Sequence, residues 1–157
     1  MELFQVKSFF SHRFHSKNQE WFNQFAAFPS GHLGLVNKKT GNLELYDGYL
    51  RAIDASGGIT LKDIPSDDYQ DYFYEGVEKW SYLKFPYLKH LGREKGWNRV
   101  GPLARMNVCE GISTPLAAFE RLSFLNATRG KTNNASMYSH WARLIELLHC
   151  AELMKDL

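Results

Sequence analysis

"WNRVGPLARMNV", residues 97–108, is the stretch on which the course of this chain depends. It joins two apolar ends through Gly101-Pro102, with Arg99 and Arg105 on either side of this pair. The stretch contains no serine nucleophile, acid pair or set of metal ligands. Glycine and proline together favour a sharp corner, because proline fixes φ and glycine tolerates unusual backbone angles. The residues therefore predict a structural corner without chemistry of its own.

The corner belongs to a longer irregular segment, from Trp80 to Asn107, that shows no clear helical or strand period. A structureless segment of roughly this length is uncommon in a compact domain unless it is functional or packed against something else. Its interleaved aromatics and arginines are typical of a protein–protein interface. They can equally wrap the chain's own core, with the arginines bound to loop carbonyls. The candidate scaffold or interface residues are Lys84, Arg99, Gly101, Pro102 and Arg105.

Composition indicates an ordinary globular protein of 157 residues, 44% hydrophobic and 23% charged, which is the length of a single domain covering 1–157. The net charge of +2 is too small to favour nucleic acid as a partner. The chain has no apolar run long enough to span a bilayer, and no signal peptide is expected from the pattern of its first residues. Cys109 and Cys150 are predicted to be two buried thiols in a reducing compartment, which favours a cytoplasmic location.

The hydrophobic pattern predicts an α+β fold, mostly helical, with a small antiparallel β-meander near residues 33–62. The meander would run from Leu33–Val36 to Leu43–Tyr46, with Asp47-Gly48 as a two-residue hairpin turn before Tyr49–Ile53. A turn at Ser56-Gly57-Gly58 would lead to a last strand at Ile59–Leu61. Helical spacing begins at Trp21 and is closed by Phe28-Pro29. A further helix is expected to start at Ser66 and to continue to about Gly76.

Two more helices are predicted in the last third of the chain. Thr114-Pro115 opens the first, with Thr114 as cap and proline at the first helical position. Its buried face would comprise Leu116, Phe119, Leu122 and Leu125. The second would bury apolar residues at helical spacing while its polar residues face solvent. The buried set is Met137, Trp141, Leu144, Ile145, Leu148 and Ala151, and the solvent-facing set is Arg143, Glu146 and Glu152.

No catalytic, cofactor-binding or metal-ligating residue is predicted. The pair His12 and His15 lacks a third converging ligand, and His140 and His149 lie too far apart on one helix to hold one ion. The acidic residues Asp67, Asp68 and Asp71 crowd a helix start, where they complement the macrodipole. No glycine-rich phosphate loop or Ser-His-Asp arrangement is present.

Five segments, taken together and in order, resemble the middle of [NiFe]-hydrogenase large subunits. They are "GNLELYDGYLRAID" at 41–54, "WSYLKFPYLK" at 80–89, "RVGPLARMNV" at 99–108, "STPLA" at 113–117 and "SHWARLIELLHCAE" at 139–152. The resemblance covers about residues 31–157. It is closest to the soluble, cytoplasmic branch that passes electrons to nicotinamide or other carriers.

The resemblance implies a parent that splits H2 at a nickel–iron centre and passes electrons to an iron–sulfur small subunit. In that family the centre is held between two Cys-x-x-Cys motifs, one near each end of a chain of several hundred residues. This sequence contains neither motif, and Cys109 and Cys150 do not lie in the family's ligand motifs. The resemblance therefore implies a central fragment of a longer nickel-dependent large subunit, with the rest of that subunit and the small subunit as partners.

Two alternatives stay open at this point. The chain can be a stand-alone structural or interaction module that derives from the same segment and has no catalysis. It can also be a relative of the large quinone-site subunit of the respiratory NADH–quinone machinery. The segments "WSYLKFPYLK" and "RVGPLAR" are more similar in sequence to true hydrogenases than to that quinone-site subunit.

Overall fold

The computed structural model describes residues 19–155. The expectation that concerns the pair His12 and His15 lies outside the described residues. The class is α+β, with 42% helix and 26% strand, as the hydrophobic pattern predicts.

A four-stranded sheet forms the centre of the described fold. Its first three strands are β1 (Gly31–Val36), β2 (Tyr49–Ile53) and β3 (Ile59–Pro65), which pair antiparallel in sequence order and confirm the predicted meander. A two-residue strand, β6 (Asn98–Arg99), pairs parallel with β1 at the opposite edge. Side chains in β1 alternate between buried and half-buried positions, because successive residues of a strand point to opposite faces.

The predicted strand at Leu43–Tyr46 and the hairpin turn at Asp47-Gly48 are wrong. Strand β2 pairs with β1, and Leu43 makes only an isolated bridge to Val36. The backbone N–H of Leu43 instead donates to the carbonyl of Gly111 at 2.8 Å. This contact with the loop around Gly111 replaces the strand pairing that the local sequence pattern predicted.

The helix expected from Ser66 to about Gly76 ends early, at Tyr72, and a second sheet follows it. Ser66–Asp68 is a single 3₁₀ turn without a side-chain cap, and α2 (Tyr69–Tyr72) is a single helical turn. The chain then extends into β4 (Phe73–Val77), which pairs antiparallel with β5 (Lys84–Leu88). Phe73 and Leu88 are opposite each other and both buried, so tertiary packing outweighs the helical spacing of this stretch.

The segment from Trp80 to Asn107 is therefore more regular than its sequence suggests. After β5 come a 3₁₀ turn (Lys89–Leu91), the one-turn helix α3 (Gly92–Lys95) and β6. Helix α4 (Pro102–Val108) follows directly after Gly101. These elements were missed because each is too short to show a period.

Three further helices complete the fold. Helix α1 (Gln19–Gln24) ends before the predicted stop at Phe28-Pro29. Helix α5 (Pro115–Ala127) begins where Thr114-Pro115 predicts, and α6 (Tyr138–Lys155) is the long last helix. Within residues 19–155, no helix is long and apolar enough to cross a membrane.

The predicted buried face of α5 is wrong except at Leu125, which is partly buried against the core. Leu116, Phe119 and Leu122 are 48%, 62% and 57% exposed. The side that faces the core instead carries Ala117, Glu120, Arg121 and Phe124. Glu120 and Arg121 can be buried there because each forms hydrogen bonds with groups on neighbouring elements.

The apolar residues collect in two clusters, one on each side of the central sheet. The larger joins α1, α4, α5 and α6 to one sheet face, and its largest members include Phe22, Phe124 and Tyr138. The smaller joins the other face to the base of the β4–β5 hairpin. Its buried members are Ala52, Leu61, Ile64, Phe73 and Leu88.

Replacing Gly101 with alanine is expected to lower the free energy of unfolding by about 1–3 kcal/mol, because the glycine adopts a backbone conformation almost closed to other residues. Its φ is 93° and its ψ is −169°. A Cβ atom at this position would meet no atom within 4 Å, so the loss would come from the backbone alone.

Gly76→Ala is the matched control for this measurement. Gly76 has no left-handed φ, and its Cβ would make an ordinary contact of 3.5 Å with the Tyr87 ring. Its expected effect is below about 1 kcal/mol. Equal losses for the two variants in urea unfolding would show that the Gly101 backbone is not under this constraint.

Candidate functional site

The chain changes direction at Gly101 and Pro102, between the end of β6 and the start of α4. Pro102 occupies the first turn of the helix. An N–H group there would have no hydrogen-bond partner within the helix, so proline loses nothing by lacking one. The N–H of Arg105 donates to the carbonyl of Gly101 at 3.0 Å, which starts the helical ladder. The positive φ of Gly101 thus aims the short helix across the sheet.

Helix α4 lies close against β1 because Gly34 has no side chain. A Cβ atom at Gly34 would lie 3.3 Å from the Cα and Cγ of Arg105 and 3.5 Å from the Cβ of Val108. Leu103, Ala104, Met106 and Val108 are buried on the helix. The helix is therefore part of the core rather than a surface loop.

Arg105 forms a two-point contact with Glu146 on α6. Its Nε and one terminal nitrogen donate to the two carboxylate oxygens at 2.6 and 2.8 Å. The Glu146 side chain is 10% exposed, so the prediction that it faces solvent is wrong. Bonding to Glu146 raises the pKa of Arg105, which keeps the guanidinium charged. The pair ties the corner helix to the longest helix of the fold.

Arg99 is held by a different set of groups in the same region. Its guanidinium donates to Ser136 Oγ at 3.2 Å and to the Ala26 carbonyl at 3.3 Å, and it lies 4.0 Å from the centre of the Phe28 ring. Burial lowers the pKa of Arg99. The contacts of Arg99 and Arg105 within the chain favour the second of the two sequence interpretations, in which the arginines bind the chain's own structure.

Arg121, which the sequence analysis did not single out, closes the other end of α4. Its guanidinium donates to the carbonyls of Met106, at 3.3 Å, Glu110, at 3.1 Å, and Cys109. The last carbonyls of a helix have no partner within it, so a buried arginine there satisfies groups that water cannot reach. The only sequence signal is its spacing of four residues from Ala117 and three residues from Phe124.

Polar contacts also join α5 to α6. The Glu152 carboxylate accepts hydrogen bonds from the N–H groups of Leu116 and Ala117 at 3.0 and 2.9 Å, and so caps the start of α5. Thr114, the predicted cap, instead contacts His149 Nδ1 through its hydroxyl at 2.9 Å. Burial lowers the pKa of His149. The cap of α5 therefore comes from a neighbouring helix.

Lys84 is not part of the corner. It lies on the β4–β5 hairpin, where its Nζ pairs with Glu75 at 2.6 Å, and both side chains are largely exposed. Hydrogen bonding to Glu75 raises the pKa of Lys84. The structure thus brings together four of the five candidate residues, Arg99, Gly101, Pro102 and Arg105, and places the fifth on a separate hairpin.

Buried His32 is the centre of a polar cluster below the corner. Its Nε2 lies 3.2 Å from Asn134 Oδ1, and the Asn107 amide nitrogen lies 3.4 Å from its Nδ1. Desolvation by burial, with a smaller effect of the Arg99 charge, lowers the pKa of His32 to about 4. The imidazole is therefore neutral at neutral pH and serves as a hydrogen-bonding group.

The described residues do not fit a nickel–iron centre. Among residues 19–155, no group of three or more His, Cys, Asp or Glu side chains is arranged to hold a metal ion. Cys109 is buried, and burial raises the pKa of its thiol, which disfavours the thiolate that binds metals. Cys150, predicted to be buried, is only half-buried, and both thiols are free.

Comparisons with known proteins agree on one family of relatives, although no protein-family model matches the chain. The beta subunit of the NAD-reducing hydrogenase HoxS from Cupriavidus necator is 46% identical over 144 residues, which are 92% of this chain and 29% of that subunit. An F420-non-reducing hydrogenase subunit from Methanothermobacter marburgensis is 37% identical over 142 residues, covering 89% of this chain and 29% of the relative.

A solved structure has the same fold. A chain in the crystal structure of an NAD⁺-reducing [NiFe]-hydrogenase in the H2-reduced state superposes with a TM-score of 0.84 and 38% sequence identity. The match covers 97% of this chain and 32% of that one. The chain thus spans about a third of the length of the proteins it matches.

The Arg105–Glu146 contact is expected to show a coupling energy of about 1–3 kcal/mol in a double-mutant cycle, because each single change leaves the other charge partly buried without its partner. The cycle uses Arg105→Ala, Glu146→Ala and the double variant, with free energies of unfolding from urea titrations. Lys84→Ala and Glu75→Ala provide a matched surface cycle, for which a coupling below about 1 kcal/mol is expected. A coupling no larger at the corner than on the hairpin would contradict the contact's structural role.

Acid is expected to destabilise the fold in the window between pH 6.5 and about 4 because of His32. The unfolded chain takes up a proton near pH 6.5, whereas the folded chain does so only near pH 4. The unfolded state therefore binds more protons in this window, and stability falls as the pH falls. The loss amounts to about 3 kcal/mol once both transitions are complete.

His32→Gln removes the titrating group while keeping a side chain that can hydrogen-bond. This variant is expected to lose much of the pH dependence between pH 6.5 and 4 when unfolding is followed by tryptophan fluorescence at fixed urea. The lowered pKa of His149 contributes a slope of the same sign, which remains in the variant. An unchanged slope in the variant would show that His32 is not the group responsible.

Proposed function

Because this chain is homologous to roughly 30% of the length of [NiFe]-hydrogenase large subunits, we propose that it is a scaffold segment of such a subunit. In this proposal the intact enzyme oxidises H2 or reduces protons. The segment itself lacks the metal-binding cysteine motifs, and residues outside it hold the nickel–iron centre. The partners are an iron–sulfur small subunit and the rest of the large one.

The observation that carries the scaffold role is the rigid attachment of the corner to the last helix. Arg105 and Glu146 hold α4 to α6 through two short hydrogen bonds, while Arg121 holds the other end of α4. Charge-assisted two-point contacts fix orientation as well as distance. A segment built this way can present neighbouring parts of a subunit in one fixed arrangement. The role of Arg99, Gly101, Pro102 and Arg105 in the proposal is positioning, without contact to reacting atoms.

The alternative of a stand-alone module is favoured by the same arginines. The hydrogen bonds that Arg99 and Arg105 form are made to residues of this chain. Such a module would keep the fold without any part in H2 chemistry. The two functions differ in whether this segment can replace its counterpart in a working enzyme.

A chimera separates the two functions. The 144-residue matched segment of the Cupriavidus necator relative is replaced by the corresponding part of this chain, and the assembled enzyme is assayed for H2-dependent NAD⁺ reduction. A scaffold segment is expected to restore activity to within about tenfold of the parent, because it contributes no reacting group. Introducing Arg105→Ala into the chimera is expected to reduce the yield of assembled enzyme more than the activity of each assembled molecule.

The matched control for that change is Lys84→Ala, which removes an exposed charge from the hairpin. It is expected to leave the yield unchanged. A chimera that folds and binds the small subunit but has no activity would contradict the scaffold proposal and favour the stand-alone module.

A further inference from the structure

The β4–β5 hairpin carries a patch of large apolar side chains that solvent can reach. Only the base of the hairpin, at Phe73 and Leu88, belongs to the core. Beyond the base, six apolar residues are between 40% and 93% exposed. We call this set the hairpin patch, and its members are Tyr74, Val77, Trp80, Tyr82, Leu83 and Phe85.

The hairpin patch is large enough for a stable interface between two molecules. With about 150–250 Å² for a full aromatic side chain, the exposed parts of the six residues offer roughly 700 Å². A stable interface buries roughly 800 Å² on each partner. Exposed apolar patches above a few hundred Å² mark interaction sites in soluble proteins. The tyrosine and tryptophan side chains of the patch are also of the types that are enriched at such interfaces.

The hairpin has no net charge that would repel a second copy. Between residues 73 and 88, two lysines balance two glutamates. Both glutamates are paired, Glu75 with Lys84 at 2.6 Å and Glu78 with Arg93 of α3. Two copies of the hairpin can therefore approach each other without like-charge repulsion between unpaired acidic groups.

The outer edge of β4 is open. Among residues 19–155, β4 pairs with β5 on one side and no strand pairs with it on the other. Alternate residues of an edge strand turn their N–H and C=O groups away from the neighbouring strand, where another strand can bind them. Strand β4 contains no proline, lysine or arginine that would hinder such pairing.

Other edge strands of the same fold are protected. Strand β5 contains Pro86, which has no N–H to donate, and Tyr87 bridges to Trp97 on the side away from β4. Strand β3, at one edge of the central sheet, carries exposed Lys62, ends in Pro65 and pairs with an irregular register. Lysine, proline and irregular pairing are means by which proteins keep their sheet edges from associating. The open edge of β4 is therefore an exception within its own fold.

We propose that a second copy of this chain docks on the hairpin, with the two β4 strands antiparallel and edge to edge. The pairing joins two hairpins into one four-stranded sheet, and the hairpin patches of the two copies cover each other beside it. Identical strands that pair antiparallel are related by a twofold axis, so each copy contributes the same surface. The assembly closes at two copies, because each β4 has only one open edge.

A second copy fits this surface better than an unrelated element does. Separate molecules lose translational and rotational freedom on binding, and an open strand together with a patch of this size can compensate for that loss. A different protein would need its own matching strand and apolar patch, whereas a second copy presents both. The inference concerns this chain by itself and does not depend on the proposed function.

Sedimentation velocity of the 157-residue chain over a range of concentrations tests the proposal. Interfaces of this size have dissociation constants in the micromolar range or below, so the dimer is expected to predominate at about 100 µM. A reducing agent keeps Cys109 and Cys150 from forming disulfides between copies.

Val77→Glu is the variant that disrupts the proposed contact. Residue 77 lies opposite Lys84 on β5, so a glutamate is tolerated within the hairpin. In the dimer it brings a negative charge from each copy to the interface, and the dissociation constant is expected to rise at least about tenfold. Ile59→Glu changes a similarly exposed apolar residue of β3 and is the matched control, which is expected to leave the constant unchanged.

Two further measurements separate loss of the contact from loss of the fold. Trp80→Ala removes an exposed ring of the patch without changing the charge, and it is expected to weaken the dimer in the same direction. Hydrogen exchange reports on the strand pairing itself. The amides of residues 73–77 are expected to become better protected as the concentration of the unaltered chain rises, and to show no such rise in Val77→Glu.

Several results would overturn the proposal. One is a chain that stays monomeric over the whole range, and another is a dimer that Val77→Glu and Ile59→Glu affect equally. Association that continues beyond two copies would contradict a closed pair.

The chimera with the Cupriavidus necator relative shows whether another part of that enzyme covers the edge instead. Protection of residues 73–77 in an assembled chimera that contains only one copy of the large subunit would overturn the proposal. The activity of the chimera does not enter this test, so its failure and the failure of the proposed function are distinguishable.

Discussion

The described fold depends on the contacts that hold helix α4 in place. This helix has only seven residues and lies between the sheet and the other helices. A helix of this length is not stable in water without tertiary contacts. Gly101 sets its direction, Gly34 lets it approach β1, and Arg121 satisfies its last carbonyls. The Arg105–Glu146 contact then fixes α6 against it. Removing any one of these contacts would loosen the joint between the sheet and the helices.

The orientation of α5 follows from the same contacts. The end of α4 needs a donor where water has no access, and Arg121 is the residue that reaches it. An arginine on the inner side of α5 places the leucines on the outer side. The contact of Arg121 with the end of α4 therefore also decides which side of α5 faces the core.

The sequence predicted those elements whose signals are local. The apolar run Leu33–Val36 and the turn at Ser56-Gly57-Gly58 indicated the meander, and Thr114-Pro115 indicated the start of α5. The β4–β5 hairpin was missed because its pairing is decided by Phe73 and Leu88, which are distant in sequence from the core they join. The inner face of α5 was missed because buried Glu120 and Arg121 look like surface residues until their partners are known. The corner residues were identified from the Gly-Pro pair and the arginines beside it, and only the structure showed that Arg105 binds Glu146.

The central claim is that the chain provides structure and leaves the binding of the nickel–iron centre to polypeptide outside it. The metal content of the purified 157-residue chain, expressed with nickel and iron in the medium and dialysed against a chelator, tests this claim most directly. The account predicts far less than one nickel per chain, because the described side chains offer no converging ligand set. One tightly held nickel per chain, lost when Cys109 or Cys150 is replaced by serine, would contradict it.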